Sequence, residues 1–445
     1  MENLHFFRDS DALLLHSARD PEAMLAKLIL INRYFYPDES ATSQMASSLA
    51  FDLSSCGWKI HAITSRQHYT PSFTHQAASN RTHDVRIHRL WTTRLGRRHL
   101  PGRAIDYLTF YLSAFLWLIL FARRGDVMVT LTDPPLMSVL STFAAQIHGC
   151  RHINWLQDLF PEVACQLGVV SPGFWSRMIT WQRNRALRSA TMNVVIGEHM
   201  AAFLEQQNVP RRSITVIHNW SDGAKISPRP PEENPIRREW ELEGKFVVGY
   251  AGNLGRAHDF QTVLQAAVAL QHDASVRFLF VGGGHLFELL RTEVQRLSLS
   301  NVAIRPYQPD SRLRDSLTLP DVHLISLQPS LEGLVVPSKF YGIAAAGRPT
   351  IFIGDRLGEI SNILRNFDCG TSVAIGDSIS LAQNIKTLQH DTKRREAWGA
   401  NARALLVARF DRPHALRQWM HVLENGIASQ TLLLPTTSTN IIDNA

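Results

Sequence analysis

Ser227-Pro228-Arg229-Pro230-Pro231-Glu232-Glu233-Asn234-Pro235 interrupts a regular alternation of short apolar runs and helical stretches. Four prolines in nine residues remove too many N–H donors for a helix interior or a central strand. The segment therefore reads as a boundary, with the same rhythm on each side of it. Upstream, Lys27-Leu28-Ile29-Leu30-Ile31-Asn32 is short and aliphatic, the signature of a parallel strand buried on both faces. Helical spacing follows over 43–54, where Met45, Leu49 and Leu53 share a stripe. Further strands are expected at 59–64, 85–90, 126–131, 152–156, 191–196 and 214–217. Downstream, strands are expected at 246–250, 276–281, 302–305, 322–327 and 349–353, with helices at 260–270, 286–297 and 339–346. Strands alternating with helices imply parallel sheets covered on both faces, so the fold class is α/β with two Rossmann-like domains.

The expected organisation is an extension over 1–24, a first domain over 25–222, a linker over 223–245 and a second domain over 246–409. A helix over 410–427, part of a helical stretch reaching from 394, returns toward the first domain, and 428–445 forms a polar tail. The cleft between two such domains is where a ligand is expected, at the carboxyl ends of the strands.

With 445 residues, 45% of them hydrophobic, the chain is too long for one ordinary core and too apolar for a disordered protein. Its net charge of +7 suits an anionic partner. Cys56, Cys150, Cys165 and Cys369 are widely spaced, which fits a reducing cytoplasm better than a disulfide framework. The first twenty residues lack the basic and apolar regions of a secretory signal.

Residues 81–103 carry seven arginines against one acid, Asp84, and an uncharged run, Tyr107–Ala122, ends at Arg123-Arg124. Sixteen helical residues cover about 24 Å, short of the ~30 Å hydrocarbon core. Two readings remain: a buried core helix, or a helix lying in an anionic membrane surface with Tyr107, Tyr111 and Trp117 at headgroup depth. Nucleic acid would use the arginines but not the adjacent apolar run, so no nucleic-acid partner is expected.

Gly249-Tyr-Ala-Gly252-Asn253-Leu254-Gly255-Arg256 and Val281-Gly282-Gly283-Gly284-His285 both lie between a strand and a helix. Glycines there let the backbone approach a phosphate at a helix N-terminus; a plain tight turn is the other explanation. In Glu332–Pro349, Pro337 ends a loop, Ser338 is placed to cap the following helix, and Lys339 falls in its first turn. A cation there opposes the helix dipole unless an anion binds between them, which marks Lys339 as a phosphate ligand. Asp158, just after the 152–156 strand, and Glu39, Ser40 and Thr42, just after the first strand, are the polar candidates facing the cleft. None of the 19 histidines falls in an HExxH pattern, and GxSxG and P-loop motifs are absent, which argues against the common hydrolases and nucleotide triphosphatases.

Asn32–Thr42, Asp133-Pro-Pro135, Gln157–Pro161, Ile217–Asp222, Ala251–Asp259 and Pro337–Pro349, taken in order, resemble the retaining GT-B glycosyltransferases of family 4. The subgroup resembled is the WcaI/WbuB-type enzymes of colanic-acid and O-antigen biosynthesis. The resemblance implies two Rossmann-like domains and a nucleotide-sugar donor, UDP- or GDP-linked, held by the second. It implies no metal or other cofactor. Gly252, Asn253, Gly255, Arg256, Gly283, Ser338 and Lys339 would meet the donor diphosphate, Tyr307 the base, and Glu332, Gly333 and Leu334 the sugar. Asp158 and Glu332 would be the catalytic acids, Asn219–Asp222 the hinge, and Glu39, Ser40 and Thr42 the acceptor side. The acceptor would be a lipid-linked glycan, and the protein peripheral on the inner face of the cytoplasmic membrane.

Two departures stand out. The family's paired glutamates fall on Leu334 and Gly342, with Glu332 displaced by two, and its Arg and Lys of the first C-domain loop fall on Asn253 and His258. The competing readings are a nucleotide-sugar epimerase on the same plan, and a catalytically inactive membrane- or nucleic-acid-binding protein.

Overall fold

The computed structural model describes residues 26–67, 79–96 and 100–431. The expected extension over 1–24, Arg97, Arg98 and most of the tail over 428–445 lie outside the described residues. Two sheets carry the fold. The first contains β1 (Lys27–Ile31), β2 (Lys59–Ser65), β3 (Ser79–Thr82), β4 (Val85–Leu90), β5 (Val127–Leu131), β6 (Arg151–Leu156), β7 (Met192–Val195) and β8 (Ile214–Val216). Their order is β3-β4-β2-β1-β5-β6-β7-β8. The second contains β9 (Phe246–Asn253), β10 (Val276–Gly283), β11 (Val302–Arg305), β12 (Val322–Ser326), β13 (Thr350–Ile353) and β14 (Gly370–Val373), ordered β11-β10-β9-β12-β13-β14. Its pairings are parallel throughout. In both sheets the central strands are buried along their length, as continuous aliphatic runs require. By packing, the described residues up to Asn154 together with those from Met420 form one compact unit, and Trp155–Trp419 the other.

Two strands escape the sequence reading. β3 is a polar, exposed edge paired antiparallel to β4 across His83-Asp84, both at positive φ. Such a hairpin needs turn geometry rather than hydrophobicity. β14, Gly-Thr-Ser-Val, is equally free of an aliphatic run. The helical stretch expected from 394 to 425 is also broken. A helix ends at Leu405, a wide turn covers Leu406–Phe410, and a second helix starts at Arg412. Asp411 marks the break: its carboxylate accepts from Gly223 N–H at 2.9 Å, and on either side of it Ser221 N–H donates to the Phe410 carbonyl and Arg412 N–H to the Ser221 carbonyl.

The proline-rich linker is fastened to the second sheet's domain. Asn234 caps the short helix Pro235–Glu239 by accepting from Ile236 N–H. Arg237 then forms a buried ion pair with Asp321 at 2.6 Å.

The arginine-flanked apolar run lies in a 22-residue helix, Leu100–Phe121. At ~1.5 Å per residue it is about 33 Å long, so the length argument against a membrane span does not hold. Among the described residues it is the one helix long and apolar enough to cross a membrane. The structure corrects the full burial of the first reading and the aromatic placement of the second. Phe110, Ala114 and Leu118 are buried with Ile29, Ile31, Ile63 and Met128 of the first sheet, while the opposite face is exposed. Tyr107, Tyr111 and Trp117 are on the inner flanks. Tyr107 lies under the Arg33 guanidinium at 4.6 Å, Tyr111 O–H donates to the Pro135 carbonyl, and Trp117 packs on His88 at 4.9 Å.

Candidate functional site

The site is built where β9 and β10 end together. Their parallel register sets Gly252 opposite Gly282 and Asn253 opposite Gly283. A Cβ on Gly282 would stand 2.2 Å from the Gly252 carbonyl oxygen, and Gly282 has φ +144°. Glycine is therefore obligatory for the two turns to touch, and the three glycines over 282–284 are partly explained by this contact. Leu254 N–H donates to the Gly283 carbonyl, and Leu286 N–H to that of Leu254, locking the turns together.

Lys339 reaches this junction from the first turn of the helix Lys339–Ala345. Its ammonium donates to the Asn253 carbonyl at 2.7 Å and to the Tyr250 hydroxyl, and lies 3.9 Å from the Tyr250 ring centroid. Its Cε would be 3.1 Å from a Cβ on Gly252, which has φ +109°, so the absent side chain is the space the lysine stem occupies. Burial without a carboxylate draws the Lys339 pKa down to about 7. Ser338 does not cap the helix as expected: its backbone is already helical and its hydroxyl makes no cap bond.

His258, at the family's lysine position, supplies no cation. It accepts from Gly255 N–H at 3.0 Å, and burial, followed by the Lys339 charge, lowers its pKa to about 3. Arg256 is exposed on the same turn, one residue beyond Gly255. Tyr307 is 59% exposed and its ring edge lies 2.9 Å from where a Gly283 Cβ would be. A largely exposed aromatic ring thus stands beside the glycine turn.

The Glu332–Leu334 loop is held by two other strand–helix units. Glu332 accepts from Glu359 N–H at 2.7 Å and lies 3.2 Å from His199 Nδ1. Glu359 in turn accepts from His199 N–H at 3.0 Å. The two carboxylates thereby cap two helices, Glu359–Asn366 and Glu198–Gln206. Burial raises the Glu332 pKa. Gly333 has φ +75°, and a Cβ there would stand 3.3 Å from the His199 carbonyl oxygen. Leu334 is buried, and its carbonyl accepts from Leu159 N–H at 3.1 Å, so that Asp158 pairs with Val335 in an antiparallel bridge. Asp158 and the Glu332 loop are neighbours. A Cβ on Gly342 would stand 3.3 Å from Leu317 Cδ1, so the place of the family's second glutamate borders apolar packing and offers no carboxylate.

Asn219 and Gln157 exchange two amide hydrogen bonds of 3.0 Å, and Asp222 pairs with Arg412. In the first unit, Glu39 is exposed after β1 and Ser40 N–H donates to Asp38 at 2.9 Å. Thr42 lies in the first turn of the helix Ala41–Ser55. Sequence reasoning missed Tyr250, His199 and Glu359. The last two follow β7 and β13, at the same strand-to-helix junctions that singled out the other loops, and that position was the available signal.

Residues 40–220 match the glycosyl transferase 4-like domain and residues 232–405 match glycosyl transferases group 1. The chain belongs to the family 4 glycosyltransferases. It is 28% identical over 265 residues to the glycosyltransferase WbjE of Pseudomonas aeruginosa, covering 59% of this chain and 66% of that protein. It is 24% identical over 285 residues to the colanic acid biosynthesis glycosyl transferase WcaI of Escherichia coli, covering 62% of this chain and 69% of that one. The chain thus spans about two thirds of the length of these relatives. The crystal structure of Anabaena HepE in complex with UDP superposes with a TM-score of 0.68 at 15% identity, over 90% of this chain and 100% of that one. The fold is GT-B, and the enzyme is of the hexosyltransferase type.

Proposed function

We propose that this enzyme is a retaining glycosyltransferase that moves a sugar from a UDP- or GDP-sugar to a lipid-linked oligosaccharide. The pathway would build a surface polysaccharide of the exopolysaccharide, O-antigen or colanic-acid kind. The protein would work peripherally on the inner face of the cytoplasmic membrane. The carrying observation is the convergence of Lys339 with the Gly252–Arg256 turn and the Gly283 turn. The colanic-acid role named for WcaI and the UDP bound by HepE are consistent with this reading.

A sugar leaving a nucleoside diphosphate places negative charge on the departing oxygen. Lys339, Arg256 and the turn N–H groups supply the opposing charge from fixed positions, with no resident cofactor required. Tyr307 would stack on the base. Glu332 would hold the sugar-facing loop through Glu359 and His199, and Asp158 would orient the acceptor. Glu39, Ser40 and Thr42 would line the acceptor side. In the retaining reaction the acceptor oxygen bonds to the anomeric carbon on the face the phosphate leaves. The bond to the phosphate oxygen breaks, and that oxygen takes the acceptor's proton.

The missing carboxylate at Gly342 favours one other reading, a catalytically inactive lipid-binding protein. Incubation with UDP- and GDP-hexoses, alone and with lipid-linked glycan extract, decides between them. The expected result is slow donor hydrolysis, acceleration by acceptor, and a product anomer that matches the donor. Unconsumed donors would leave the inactive reading, and a donor epimerised without acceptor would leave the epimerase.

A further inference from the structure

Ile105, Leu108, Leu112, Leu116 and Leu120 form one row on the exposed face of the helix Leu100–Phe121. At ~100° per residue they fall within about a 120° sector, opposite Phe110, Ala114 and Leu118. The four leucines are between 55% and 71% exposed, far beyond isolated surface apolars. The patch continues onto the neighbouring helix Met137–His148. Phe115 meets Phe143 at 6.0 Å between ring centroids, and Phe143 and Ile147 are each 55% exposed. At the other border, Ser113 O–H donates to the Trp91 backbone carbonyl at 2.8 Å, and the Trp91 side chain is exposed.

The charge around this patch has one sign. Among the described residues from 85 to 125, the exposed charges are Arg86, Arg94, Arg103, Arg123 and Arg124. The one acid of that span, Asp106, is buried and accepts from Thr93, Leu95 and Gly96. Of the acids flanking the span, Asp126 is buried and pairs with Lys27, and the exposed Asp84 pairs with Arg81. A partner for this surface must be apolar in the middle and anionic at the edge. We infer that the leucine row, with Phe143, Ile147 and Trp91, docks this protein flat onto an anionic lipid bilayer. The inference rests on the membrane side of the function proposed above and assigns the surface that makes the contact.

The helix does not cross the bilayer. Doing so would strip Phe110, Ala114 and Leu118 from Ile29, Ile31, Ile63 and Met128 and open the core of the first sheet. Lying flat instead sinks the leucines below the headgroups, with Trp91 at the interface and the arginines among the phosphates. A second copy of the chain could cover the leucines, but it would set arginine against arginine around the rim.

The test uses the full chain with vesicles of phosphatidylcholine, alone or mixed with phosphatidylglycerol. Wild type is expected to float with the mixed vesicles and far less with the neutral ones. Leu112→Glu with Leu116→Glu should lower partitioning at least ten-fold while melting temperature and donor hydrolysis stay at wild-type values. Arg123→Gln with Arg124→Gln should lower it about five-fold per charge and flatten the salt dependence. Membranes from expressing cells should release the protein in alkaline carbonate. The proposal is overturned if wild type ignores the mixed vesicles, if the glutamate variant floats normally, or if carbonate leaves the protein embedded. It is equally overturned if the glutamates only convert a dimer to monomer in sedimentation. Vesicle binding without donor turnover would sink the enzyme reading alone.

Discussion

Lys339 is the residue on which the proposed donor site turns, and its shielding gives it a measurable signature. In the free protein its pKa sits near 7, below the ordinary lysine value of 10.5, because the ammonium is shielded and has only neutral oxygens as partners. A bound diphosphate restores the charged form and raises that pKa. Binding therefore takes up a proton above pH of about 7, and affinity falls as pH rises through that window, by up to ~10-fold per unit. Titration calorimetry near pH of about 8, in buffers of different ionisation enthalpy, should show this uptake. Lys339→Met should bind donor roughly 10- to 100-fold more weakly and lose the proton uptake, as expected for a charge-assisted bond of ~1.5–3 kcal/mol. Equal uptake in both proteins would remove Lys339 from the diphosphate site. The lysine's place beside the glycine turns was legible, because a cation in a helix's first turn stands out against the dipole. Its partner Tyr250 was not, being one aromatic inside a strand. Nor was the Glu332–His199–Glu359 cluster, since each member belongs to a different strand–helix unit and only folding brings them together.

At the scale of elements, the linker shows why a proline-rich boundary need not be a loose one. Arg237, on a five-residue helix, sends its guanidinium to Asp321 and to the Leu319 carbonyl, while Asp321 also accepts from Val247 N–H in β9. The side chains are 8% and 7% exposed, so neither charge has water to fall back on. Arg237→Ala should cost ~3–5 kcal/mol, seen as a lower urea midpoint, because it abandons a buried carboxylate. A loss under about 0.5 kcal/mol would show that water reaches the pair. The sequence predicted this segment's punctuation but not its anchoring, since the ion pair joins positions 84 residues apart. The same division runs through the fold. Central strands were legible because burial on both faces demands unbroken aliphatic runs. β3 and β14 were hidden because edge strands need no such run. The break at Asp411 was hidden because its cause, the Ser221 and Gly223 backbone, lies far upstream.

Across the whole molecule, buried histidines make both sheets sensitive to acid. In the first, His152 sits between the Thr142 and Thr130 hydroxyls, its pKa pushed by burial to about 3. His61, near 4 through burial and then His88, lies 3.2 Å from that second imidazole, which burial also lowers. In the second, His323 donates from Nε2 to the Leu317 carbonyl and is lowered by burial to about 4. All are neutral in the folded protein and regain an ordinary pKa near 6.5 on unfolding. Below that value the unfolded chain binds more protons, so stability is complete above it and drains away as pH falls toward about 4. The two most deeply buried, His152 and His323, each add up to ~1.4 kcal/mol per pH unit to that slope. Asp222 and Asp273, two half-buried carboxylates held by hydrogen bonds and by Arg412 and Lys386, have lowered pKa values and yield only in stronger acid. Thermal melts between pH of about 7 and about 4.5 should therefore fall steadily. His61→Gln with His88→Gln should flatten part of the slope, and His323→Gln another part. A melting temperature constant over this range would mean the imidazoles are already charged or exposed, contrary to the packing of both sheets.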